Sequence, residues 1–225
     1  MSRCILYHGS PSIIKQPMYG KGKKYNDYGR GFYCTKNLEL AKEWACSDAI
    51  DGYANRYEID TDGLKILDLS SDEYTILSWL AILLENRQTR LSSPIEKRAR
   101  DYLLQHFLPK YTRYDIIVGY RADDSYFSFV RSFVSNTISL EQLSYAMKLG
   151  ELGEQFVLKS KKAFGAIHFL EHTIAQHSIY YARRMRRDID AREAFYKKQE
   201  EDDIHGIYMR DIIREEMKSD DIRLR

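Results

Sequence analysis

Cysteine is scarce in this sequence: Cys4, Cys34 and Cys46 are the only three, and no two form a CxxC pair. An odd count fits poorly with a secreted disulfide framework, so a reducing cytoplasm is the expected compartment. Long apolar runs are also missing. No segment approaches the stretch of about 20 apolar residues that a membrane span needs, and the apolar stretch near the N-terminus is too short for a signal peptide. A soluble, cytoplasmic chain with no membrane partner is expected. Net charge is nearly absent too, because 35 Lys/Arg face 33 Asp/Glu for a formal charge of +2. No global field therefore draws the chain to nucleic acid or a membrane, although local patches remain open.

Several chemical signatures are missing as well. His172 and His177 stand outside any HExxH pattern and the cysteines lack ligand spacing, so no metal site is expected. There is no Walker loop. Gly29-x-Gly31 opens a strand rather than a helix and has no third glycine, which excludes a Rossmann fingerprint. No repeat of 20 to 50 residues is found.

What is present is material for one core: 225 residues, 44% hydrophobic and 13% aromatic, enough for a domain with a helical appendage. Cys4 to Tyr7 reads as a buried strand that stops at His8-Gly9-Ser10-Pro11. Pro17 to Gly31, rich in glycine and lysine, reads as an exposed, adaptable loop suited to covering a ligand. Phe32 to Thr35 resumes as a strand. Asn37 is then placed to cap a helix whose Leu38, Ala41, Trp44 and Ala45 share an inward face. Tyr53 to Asp60 and Leu64 to Leu69 read as a hairpin joined at Asp60-Thr61-Asp62-Gly63. Ser71 to Asn86, with Ser71 or Asp72 as its cap, and Pro94 to Leu108 read as paired helices.

Strand character returns at Tyr114 to Tyr120, followed by helices at Tyr126 to Val134 and Leu140 to Leu149. Gln155 to Ser160 and Ala166 to Phe169 are the last strands. About seven short strands without βαβ alternation predict an α+β fold. The expected organisation is a domain over 1–172 with a helical insertion at about 71–109. Residues 173–225 would form a charged helical extension, broken near Gly206.

The chemistry concentrates near the N-terminus. His8 ends a strand before Gly9 and Ser10, which exposes an imidazole and lets a ligand approach the backbone. Gly29-Arg30-Gly31-Phe32-Tyr33 sets a cationic turn before a strand, and Trp44 follows Tyr33 by eleven residues, so two rings could flank a flat ligand. The plainer alternatives are a solvated strand-end histidine and a pair of core aromatics.

Taken together, Tyr7-His8-Gly9-Ser10, Gly29-Arg30-Gly31-Phe32-Tyr33-Cys34-Thr35 and Leu40-Ala41-Lys42-Glu43-Trp44 resemble the diphtheria-toxin and poly(ADP-ribose) polymerase class of ADP-ribosyltransferases. They resemble still more a bacterial group within that superfamily, over roughly residues 4–170. The resemblance implies a split mixed β-sheet core and NAD as substrate. It places His8 at the nicotinamide-side ribose, the Gly9 backbone at the carboxamide with Ser10 beside it, and the rings of Tyr33 and Trp44 around the nicotinamide. Gly31, Phe32 and Arg30 would complete the NAD site, with Arg30 and Lys21-Gly22-Lys23-Lys24 available to the pyrophosphate or to a nucleic-acid backbone. Trp44 stands where the family usually has tyrosine. The class motif Ser-Thr-Ser of the arginine-dependent toxins is absent.

The family's third catalytic residue is a glutamate on a late strand. Gln155 matches that position best, with Glu154 as the alternative if the register is one residue off. A neutral glutamine stabilises a developing oxocarbenium ion less than a carboxylate does, so mono-transfer or binding alone is expected rather than polymer synthesis. Asp123 and Asp124 are acceptor-side candidates, or else a helix cap. The resemblance implies a mono-ADP-ribosyltransferase acting on a protein or nucleic-acid acceptor. Its bacterial setting implies a toxin of a toxin–antitoxin or phage-defence system, with a neutralising antitoxin as partner. An NAD glycohydrolase and a degenerate NAD-binding or protein-interaction module are the alternatives.

Overall fold

The computed structural model describes residues 3–88, 91–122, 126–149, 153–201 and 203–225. Strand β1 (Arg3–Ser10) pairs antiparallel with β3 (Gly52–Asp60), which pairs antiparallel with β7 (Ile167–Ala175), giving a three-stranded sheet in the order β1-β3-β7. A second sheet runs β2 (Phe32–Cys34), β6 (Glu154–Leu158), β5 (Ile116–Tyr120), β4 (Ile66–Asp68); only β4 and β5 are parallel. Eight helices accompany them among the described residues: α1 (Leu38–Ala45), α2 (Ile76–Asn86), α3 (Pro94–His106), α4 (Tyr126–Val134), α5 (Leu140–Ala146), α6 (Lys161–Gly165), α7 (His177–Gln199) and α8 (Met209–Arg214). The fold is α+β, as the irregular order of elements predicts.

Local chemistry explains most of these boundaries. Asn37 caps α1 by accepting from the Glu39 and Leu40 amides at 2.9 and 3.2 Å. Ser93 and Glu96 close a capping box around Pro94 at the start of α3. Helix α2 is apolar on every side and is buried from Leu77 to Leu84, forming the centre of the larger core. A smaller core, with Leu6, Phe32, Tyr57, Ile59, Val118 and Leu158, draws on strands of both sheets.

Several expectations need correction. Strands β3 and β4 do not form a hairpin. Both edges of β3 are already taken by β1 and β7, so β4 joins the other sheet, where Asp115 accepts from the Lys65 amide at 2.8 Å. Strand β1 does not stop at His8 but continues through Gly9 and Ser10, which pair with Ala54 and Tyr53 of β3. Helix α2 is preceded by Thr75, whereas Ser71 turns back to the Asp68 carbonyl at 2.8 Å.

The glycine-rich loop is largely exposed as expected, except at Asp27, Tyr28 and Gly29, which are buried. The reason is tertiary, because the Tyr28 hydroxyl donates to the Tyr120 carbonyl at 2.6 Å and its ring lies against Gly119. On α1 the inward side carries Leu40, Ala41 and Ala45 together with a buried carboxylate, Glu43, while Trp44 is only half-buried. Arg187 of α7 explains this, since it holds Glu43 in a two-pronged ion pair at 2.8 and 3.0 Å.

The boundary expected at 172/173 falls inside β7, and the segment beyond it contributes Ala191, Phe195, Met209 and Ile212 to the larger core. Phe195 lies on Phe129 with ring centroids 3.9 Å apart.

Gly9 marks the closest approach of β1 to α1. A Cβ there would overlap the Ala41 carbonyl oxygen and sit 2.8 Å from the Ala45 nitrogen, both backbone atoms that cannot rotate away. Gly9→Ala is expected to cost about 2–3 kcal/mol by forcing α1 off the sheet. Thermal unfolding checks this, and a melting temperature equal to the parent's would show that α1 yields without cost.

Candidate functional site

Tyr7 and Thr35 exchange backbone hydrogen bonds at 2.7 and 2.9 Å, fastening β1 to the end of β2 although these strands belong to different sheets. His8 is thereby set beside Tyr33. Its Nδ1 lies 2.6 Å from the Tyr33 carbonyl oxygen, which can only accept, so Nδ1 carries the proton and Nε2 is left as an acceptor. Burial holds the imidazole below its ordinary value, against a smaller upward pull from that carbonyl. The ring rests on Phe32, centroid to centroid 4.3 Å.

These residues open onto a cavity of about 710 Å³ that is also lined by Gly9, Ser10, Gly31, Trp44 and Gln155. Its size lies within the roughly 300–1,000 Å³ usual for small-molecule sites. The sequence-predicted residues His8, Gly9, Ser10, Gly31, Phe32, Tyr33, Trp44 and Gln155 are thus brought together. Arg30 is not among them: it is exposed, and its carbonyl is engaged by Lys159 Nζ at 2.7 Å. Glu154 is exposed and faces a separate depression with Thr35, Asn37 and Phe156. Strand alternation separates it from Gln155, which is buried on the cavity side. Asp123 and Asp124 lie outside the described residues.

Tyr33 is held by its hydroxyl, which donates to the Gly29 carbonyl at 2.5 Å and accepts from the Tyr28 amide at 3.1 Å. Burial, reinforced by the charge of Asp27, pushes this phenol up and keeps it protonated. Lys159 donates to the carbonyls of Tyr28 and Arg30, so three successive carbonyls of this turn are captured by side chains. Burial lowers the Lys159 ammonium to about 8. Gly29, at φ +71°, supplies the left-handed residue that the turn needs.

Two polar atoms of the lining residues have no hydrogen-bond partner among the described residues: Trp44 Nε1, a donor, and Gln155 Oε1, an acceptor. Leaving such groups buried and unpaired costs about 1–3 kcal/mol each, a cost that a ligand or water relieves. The Arg121 guanidinium lies 3.8 Å from the centre of the Trp44 ring and covers one of its faces.

Sequence reasoning missed the charged wall of this cavity. Asp27 is buried, accepts from Arg87 Nε at 2.7 Å and from the Ala122 amide at 2.9 Å, and lines the cavity with Arg87 and Arg121. Burial raises its carboxyl, opposed by Arg87 and the Ala122 amide. No spacing rule links residues so far apart in the chain. Asn55 was also missed: from β3, opposite His8, its side-chain amide donates to the His8 carbonyl at 3.2 Å and its oxygen accepts from the Ile14 amide at 2.9 Å.

A family model described as a protein of unknown function, DUF3990, matches residues 4–169. The chain belongs to the DUF3990 family. No curated protein and no solved structure matches it. The DUF3990 match runs from the start of β1 into β7 and so includes every cavity residue named above, whereas α7 and α8 lie beyond it. No helix among the described residues is long and apolar enough to cross a membrane.

Proposed function

We propose that this chain is a mono-ADP-ribosyltransferase that takes NAD into the His8–Tyr33–Trp44 cavity. The observation that carries this reading is the meeting of His8, Tyr33, Trp44 and Gln155, from four separate elements, on one cavity. The neutral His8 Nε2 accepts from a ribose hydroxyl, and the rings of Tyr33 and Trp44 offer faces to the nicotinamide. Because Arg121 covers one face of Trp44, stacking there requires the guanidinium to move aside. Lys21 and Lys23, also on the cavity, offer positive charge to the pyrophosphate.

In the reaction the bond between ribose C1 and the nicotinamide nitrogen breaks and its electron pair leaves with nicotinamide. The acceptor's nucleophile bonds to C1 and its proton passes to solvent. Gln155 holds the ribose by hydrogen bonding but adds no negative charge, so a single transfer is favoured over chain growth. A toxin role with a neutralising antitoxin rests on the family resemblance alone.

Incubation with labelled NAD and cell lysate, followed by protease or nuclease digestion, tests this. Transfer places the label in macromolecules. Label recovered only as free ADP-ribose would make the chain a glycohydrolase, and unchanged NAD would leave it a binding module.

A further inference from the structure

The near-zero net charge conceals an uneven distribution. Asp27 is the only acidic residue before Glu39, whereas Arg3, Lys15, Lys21, Lys23, Lys24, Arg30 and Lys36 all precede it. Asp27 is itself buried against Arg87, so it does not offset the lysines of the loop. Lys15, Lys21, Lys23, Lys24 and Lys161 make no ion pair with a carboxylate among the described residues.

Exposed rings are interleaved with these cations in the same loop that lends Met18, Lys21, Lys23 and Asn26 to the cavity lining. Tyr19 and Tyr25 are 53% and 49% exposed, so both rings are open to a partner. Lys161 lies over Tyr19 at 5.9 Å and Lys24 over Tyr25 at 5.4 Å. Tyr19 also meets Phe164 edge-on at 5.6 Å, and Phe164 lines the cavity. The rim therefore joins directly to the site.

We infer that this rim binds single-stranded nucleic acid and presents it to the cavity as the acceptor; its role as acceptor rests on the NAD reading above, whereas the binding does not. Lysines neutralise phosphates, and exposed rings stack on bases that a duplex would keep stacked on one another. Lysines and exposed rings alternating within one short loop match the phosphate-and-base alternation of a single strand; an acidic protein, which could also pack on tyrosines, is the competing occupant that the test separates.

The test is a fluorescence-anisotropy titration of the full chain with single-stranded DNA and RNA of mixed sequence, over a range of salt and without NAD. Binding of either strand is expected to exceed binding of the matching duplex. Lys15→Ala/Lys24→Ala/Lys161→Ala should flatten the salt dependence by about 2 units of slope, at about 0.7 per phosphate contact. Tyr19→Ala/Tyr25→Ala should weaken binding by about 10-fold or more while leaving the slope unchanged. All five residues are exposed, so the fold should tolerate these changes. No binding at low salt, no effect of the tyrosine changes, or displacement by polyglutamate as readily as by oligonucleotide would each overturn the inference. Since the titration contains no NAD, its failure leaves the NAD reading standing, and absent NAD turnover leaves the titration standing.

Discussion

Arg87→Met is expected to destabilise the protein by about 3 kcal/mol at pH 7, because it strips a buried carboxylate of its partner. The side chains of Arg87 and Asp27 are 21% and 5% exposed, so solvent does little to replace the lost guanidinium. For a chain of this length the melting temperature should fall by roughly 10 °C. The deficit should depend on pH in a defined direction. Burial already raises the folded-state value of Asp27 above its ordinary 3.8, and Arg87 opposes that rise. Removing Arg87 lifts the value further, so the folded variant favours the protonated carboxyl. Its deficit is then largest above the folded-state value and shrinks as pH falls toward the unfolded one. Asp27→Asn/Arg87→Met should recover most of the loss by leaving no charge to strand. Thermal melts of the parent and both variants at pH 5 and pH 7 check this, and an equal deficit at both values would show that Asp27 does not titrate against Arg87.

His8→Ala is expected to slow nicotinamide release from NAD by about 100-fold, comparable to losing one preorganised hydrogen-bonding group at a reacting centre. The change removes both the free Nε2 and the tie to the Tyr33 carbonyl. Gln155→Glu should act in the opposite direction, raising release by about 10-fold, because it sets a carboxylate beside the developing positive charge. Glu154→Gln should change little, since that side chain faces away from the cavity. The lowered value of His8 keeps its ring neutral at and above the ordinary 6.5, so between there and the range near 8 where Lys159 titrates release should be flat, declining at lower pH as Nε2 takes a proton. Unchanged release in folded His8→Ala protein would remove His8 from the site.

Much of the site was legible because its determinants are local. A histidine before a glycine near a strand end, a glycine-bracketed turn before Tyr33 and a tryptophan at helical spacing behind it are short-range patterns. Strand alternation likewise separates Gln155 from Glu154 once the strand is recognised. Asp27 and Arg87 left no such trace. Asp27 sits in a segment whose composition reads as an exposed loop, and only Tyr28, reaching across to Tyr120, pulls that segment into the core.

Most strands and helices could be read from residues alone, because hydrophobic period and the Asn37 cap act within a few residues of each other. The same holds for His8 on the first strand and Tyr33 on the second. Three outcomes instead waited on the assembled fold: β4 joins β5 rather than β3, Arg187 buries Glu43, and Asp27, Arg87 and Arg121 wall the cavity. Each depends on which edges and charges remain unpaired once distant segments have met, and pairing of that kind is set by the whole chain rather than by any local run of residues.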